Sequence, residues 1–78
     1  MNSDFEIVIS SDPDYEDLIA EISYKGDFLA IMSQEDGFDS LDLEIHARKD
    51  GKPWRFKSTE FEEAIAKAKQ RLWELRRV

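Results

Sequence analysis

The hydrophobic period of this chain changes once, and that change limits the fold more than any other feature. Up to about residue 57 apolar side chains recur at every second position in short runs. From residue 58 onward they recur every three or four positions in one long stripe. The first pattern belongs to strands and the second to an amphipathic helix.

Phe5, Ile7 and Ile9 alternate with Glu6, Val8 and Ser10, which predicts a strand over 5–10. Ser11-Asp12-Pro13-Asp14 follows as a turn, since Pro fixes φ and Asp or Ser can bond the local backbone. A second strand is expected over 17–24, with Leu18, Ala20, Ile22 and Tyr24 on one face. Lys25-Gly26-Asp27 reverses the chain into a third strand over 28–34. That run is apolar on both faces from Phe28 to Met32, which suits a central position. Leu41, Leu43, Ile45 and Ala47 against Asp42, Glu44 and His46 form the cleanest alternation, a half-buried strand over 41–47. Asp50-Gly51 supplies a further hairpin turn, and Pro53 opens a last strand over 54–57 with Trp54 and Phe56 inward.

The helix is predicted over 59–76. Phe61, Ala64, Ile65, Ala68, Leu72 and Leu75 make its apolar stripe. Ser58 or Thr59 can cap it, and Thr59 with Glu62 fits a capping box. Glu60, Glu62 and Glu63 near its start and Arg76 and Arg77 near its end suit the helix dipole. Trp73 lies off the centre of the stripe, either flanking the core or exposed as an interface anchor. The expectation is a single α+β domain over residues 1–78: an antiparallel meander of four to five strands with one C-terminal helix packed across one face. The second sheet face is left to carboxylates, with Leu29 and Ile31 exposed among them, which favours a partner or a second copy.

At 78 residues the chain is too short for two domains that each fold unaided. It contains no cysteine, which excludes a disulfide scaffold or thiolate metal site and fits a reducing cytoplasm. No apolar run is long enough to span a bilayer, and the first residues lack the basic region of a signal peptide. A cytoplasmic protein is therefore expected.

The charge is divided along the chain. Residues 1–47 carry 13 acidic side chains and a single basic one, Lys25, while residues 48–78 carry ten basic and five acidic. The net charge of -7 argues against a nucleic-acid binder, which needs a basic footprint, and against an anionic membrane. Lys67, Lys69, Arg71, Arg76 and Arg77 resemble a phosphate-binding stripe only in isolation, because the rest of the molecule repels phosphate.

Catalytic equipment is sparse. The one histidine, His46, falls at an outward strand position beside Glu44, and no glycine-rich phosphate loop or nucleophile elbow is present. Asp12, Asp14, Glu16 and Asp17 are the densest acidic cluster. Counted as a calcium loop from Asp12, the sixth residue is Asp17 instead of Gly and the twelfth is Ser23 instead of Glu. No metal, no cofactor and no enzymatic activity are expected. Carboxylates in the first loop (Asp12, Asp14, Glu16, Asp17) and in the loop after the third strand (Glu35, Asp36, Asp39) are instead candidates for binding a basic protein. Tyr15 and Phe38 are the aromatic anchors among them.

The runs Asp14–Ile22, Ala30–Gly37, Leu43–Ile45 and Phe61–Lys69 resemble small bacterial immunity proteins of polymorphic toxin systems, across about residues 12–75. The resemblance implies a small cytosolic domain that binds and blocks one toxin. It carries over no binding residues, because these differ from one toxin–immunity pair to the next. A phage-encoded inhibitor of a host nucleic-acid-targeting defence complex, of the anti-CRISPR kind, shares the same size and charge. A homodimeric assembly module is the alternative from another class.

Overall fold

The structure is a computed structural model and describes residues 4–75. Four strands form one sheet in sequential order: β1 (Phe5–Ser10), β2 (Ile19–Tyr24), β3 (Asp27–Ser33) and β4 (Asp42–Ile45). A short 3-10 turn, Phe38–Ser40, lies between β3 and β4, and the helix α1 (Ser58–Leu75) closes the chain. Every neighbouring pair is antiparallel. The architecture is the α+β meander with one C-terminal helix that the change of period predicts.

Alternation assigns the two faces. Ile7, Ile22, Ala30 and Ile45 stand opposite one another across the four strands, as do Ile9, Ala20, Met32 and Leu43. Helix α1 lies on this side, against β1 and β2. Ala64, Ala68 and Leu72 pack with Phe5, Ala20, Ile22, Leu29, Ala30 and Met32 in a single core. Phe61 meets Phe5 and Phe56 near the start of β1, and Trp73 meets Phe38 beyond the end of β3. The helix therefore crosses the sheet diagonally, from the hairpin end toward the β3–β4 loop.

Four expectations are corrected. Trp54–Lys57 is not a strand. Its aromatics are used otherwise: the Trp54 indole donates to the His46 carbonyl (2.7 Å), and Phe56 joins a ring cluster with Phe5, Tyr24 and Phe61. β4 is exposed at all four residues instead of half-buried, with Ile45 54% exposed, because α1 packs chiefly over β1 and β2. Leu29 is fully buried instead of exposed. The β2–β3 register shifts between Ile22 and Ser23, and this bulge turns both Leu29 and Ala30 into the core. The first helical bond runs from the Phe61 amide to the Lys57 carbonyl, so Lys57 occupies the cap position and Thr59 lies within the first turn. The expected helix end at residue 76, with Arg76 and Arg77, lies outside the described residues.

The β2–β3 hairpin turns through Lys25 (φ 49) and Gly26 (φ 85), both left-handed, as a two-residue turn matching the strand twist requires. A Cβ added at Gly26 meets no heavy atom within 4 Å, so the effect of substitution there is conformational alone. Gly26→Ala should lower stability by about 1–2 kcal/mol. Chemical denaturation measures this directly, and an unchanged midpoint would contradict the turn geometry.

Candidate functional site

In an antiparallel meander the first and third connections share one end of the sheet. The β1–β2 loop (residues 11–18) and the β3–β4 loop (residues 34–41) do so here, and they are tied together. The Glu35 carboxylate accepts hydrogen bonds from the backbone N–H of Glu16 (2.8 Å) and Asp17 (3.4 Å). Gln34 donates from Nε2 to the Leu18 carbonyl (2.8 Å). Asp12 shapes its own loop, accepting from the Asp14 amide at Oδ1 (2.8 Å) and from the Tyr15 amide at its carbonyl (3.0 Å). Asp14, Glu16, Asp17, Glu35, Asp36 and Asp39 are exposed and Asp12 is half-buried, so the two acidic loops form a single surface.

The aromatics of these loops differ in position. Tyr15 is half-buried, and its phenol pKa is raised above the ordinary 10.0. Desolvation is the first cause; the carboxylates of Glu44, Asp12, Asp14 and Glu35 add to it. Phe38 is half-buried, packed on the core and edge-on to Trp73 at 5.0 Å. Trp73, 48% exposed, is the more accessible ring of that pair. Its place at the acidic end follows from the diagonal of the helix, which periodicity alone does not reveal.

The loops also close one end of the sheet's open face. Ile19 and Ser33 lie on the side away from α1, yet are 1% and 8% exposed. Beyond them this face carries Val8, Glu21, Ile31 and Glu44 in register, then Glu6, Ser23 and Phe28. His46, one residue past β4, meets Phe28 with tilted rings at 4.9 Å and brings Nε2 to 2.7 Å from Glu44 Oε1. That approach lacks hydrogen-bond alignment, so Nε2 is enclosed without a hydrogen-bond partner.

The opposite end of the molecule is cationic. Lys25 sits in the β2–β3 turn, and Arg48, Lys49, Lys52, Arg55 and Lys57 follow β4. A depression of ≈ 380 Å³ there is lined by Tyr24, Arg55, Phe56, Lys57 and Glu60, remote from the acidic loops. Among the described residues no group of three or more His, Asp or Glu side chains could hold a metal ion. Nor is any helix among them long and apolar enough to cross a membrane.

Two measurements probe this geometry. Glu35→Ala should release the Glu16 amide, whose hydrogen exchange should accelerate about five- to tenfold, equivalent to one modest hydrogen bond. Unchanged exchange would mean that the loops are not coupled through this carboxylate. In a Tyr24→Phe background, ultraviolet titration should place Tyr15 ionisation above 10.0, moving back toward that value in Glu44→Gln. The folded phenol holds its proton more tightly than the unfolded one. The stability that Tyr15 contributes should therefore be fully present below its ordinary pKa of 10.0 and be lost as pH rises through the folded value.

Compared with known proteins, the chain matches no protein-family model, no curated protein and no solved structure.

Proposed function

We propose that this protein is a non-enzymatic inhibitor that binds a basic protein target, a toxin or nuclease-type enzyme, through its acidic end. The observation that carries the reading is the union of two separate acidic loops into one surface by the Glu35 carboxylate. Five carboxylates beside Glu35 face solvent around Tyr15 and the Phe38–Trp73 pair, with no lysine or arginine in either loop. Such a surface steers a cationic partner and can take the place of phosphate in its cleft. The desolvated rings would anchor the complex once it is formed. An immunity protein and a phage-encoded inhibitor of a nucleic-acid-targeting complex differ here only in the target.

The test is affinity capture from the native host's lysate at low salt, comparing wild type with Asp14→Asn/Glu16→Gln/Asp17→Asn/Asp36→Asn/Asp39→Asn. One basic protein, released by salt and not retained by the variant, is the expected result. Equal capture by both proteins would reject the acidic end as the binding surface.

A second reading, assembly of the chain with itself, is supported by the exposed β4 edge. Leu43 and Ile45 (38% and 54% exposed) lie there on the helix side of the sheet without α1 above them. A salt-resistant dimer in sedimentation at micromolar concentration would favour it over the inhibitor, and a monomer would reject it.

A further inference from the structure

The acidic end adjoins the open face of the sheet: Ser10, Ile19, Ser33 and Asp42, the outward-facing strand residues next to the acidic loops, lie beside the row of Val8, Glu21, Ile31 and Glu44. On that face Val8 (48% exposed), Phe28 (38%) and half-buried Ile31 make an apolar floor. Glu6, Glu21 and Glu44 stand among them, and none of the strand residues on this side is Lys or Arg. We infer that the open face of the sheet is the seat for a basic amphipathic helix of the partner protein. The inference rests on the inhibitor reading and names the element of the target that docks.

Charge selects the occupant. Two copies meeting through this face would oppose carboxylates with carboxylates, without a strand cation on either side to relieve them. A helix with one apolar stripe and flanking Lys or Arg answers both parts of the surface: the stripe covers Val8, Ile31 and Phe28, and the cations meet the glutamates. Size agrees with this. Strands about 4.8 Å apart make this face about 14 Å across, close to the 10–12 Å diameter of a helix. The other face already shows that this sheet accepts a helix across it, and a second would complete a three-layer sandwich.

The probe is a synthetic peptide of about 14 residues, long enough to cross the sheet, with Leu and Lys placed at helical period. Its control has the same composition in an order that forms no apolar stripe. Isotope-labelled protein is titrated with each, and amide shifts are mapped. The ordered peptide should bind at least about tenfold more tightly than the control, with the largest shifts at Val8, Glu21 and Ile31. Val8→Lys, at an exposed position, should weaken the ordered peptide about tenfold or more. Glu6→Lys serves the same purpose if the first variant fails to fold. The loop variant with Asp14, Glu16, Asp17, Asp36 and Asp39 neutralised should weaken it by less than about threefold.

Equal affinity for both peptides, or shifts confined to residues 11–18 and 34–41, would overturn the inference. So would a salt-resistant dimer of the wild type that Val8→Lys abolishes, since a second copy would then own the face. The two readings separate cleanly. A host target lost on loop neutralisation but kept by Val8→Lys rejects this seat and leaves the inhibitor standing. A host lysate that yields no basic protein rejects the inhibitor, whatever the peptide does.

Discussion

Leu72→Ala is expected to lower stability by about 2–5 kcal/mol, toward the upper part of that range. Leu72 is fully buried, one turn along α1 from Ala68, in the core shared with Ile22, Leu29 and Met32. A cavity there has little means of closing. The helix is held at one end by Phe61 against Phe5 and Phe56, and at the other by Trp73 against Phe38. It cannot settle onto the sheet without breaking one of these ring contacts. Native domains retain only about 5–15 kcal/mol in total, so the substitution removes a large share. The thermal midpoint should fall by roughly 10 °C or more. Ile65→Ala, at a half-buried position, should cost less. A loss below about 1 kcal/mol at both positions would contradict the packing of α1 described above.

The second large effect concerns rate. If the acidic end steers a cationic partner, raising ionic strength from about 0.05 M to about 0.5 M should slow association about tenfold or more. Dissociation should change much less, because the desolvated rings are less affected by screening. Neutralising Asp14, Glu16, Asp17, Asp36 and Asp39 should reproduce most of the salt effect at low ionic strength and flatten the remaining salt dependence. Stopped-flow or surface-binding kinetics with the captured target measure both quantities. An association rate indifferent to salt and to these substitutions would remove electrostatic steering from the mechanism.

The strands and helix were legible because each buries one face at its own period. Where two demands meet on one residue, the pattern misleads. Trp54 and Phe56 alternate like a strand, yet one is held by an indole bond to the His46 carbonyl and the other by a ring cluster. Leu29 reads as an outward position until the bulge beside Ser23 turns it inward. The alternation of β4 is as clean as any in the chain, but burial needs a second layer above it, and α1 lies elsewhere.

The candidate site was legible to a similar depth. That both acidic loops share an end follows from the parity of the meander. Their union through Glu35 leaves no sequence pattern, since a side chain bonding the amides of residues 19 and 18 positions away has no periodicity to betray it.

The two tryptophans divide the molecule in a way an experimenter can use. Trp73 stands at the acidic end beside Phe38, and Trp54 near the cationic end with its indole bonded to the His46 carbonyl. In a Trp54→Phe background the emission of Trp73 becomes an internal optical probe of the acidic end, needing no attached dye. In a Trp73→Phe background Trp54 reports on the link between sheet and helix. One pair of spectra therefore distinguishes a ligand held at one pole from a distortion that spreads through the whole fold.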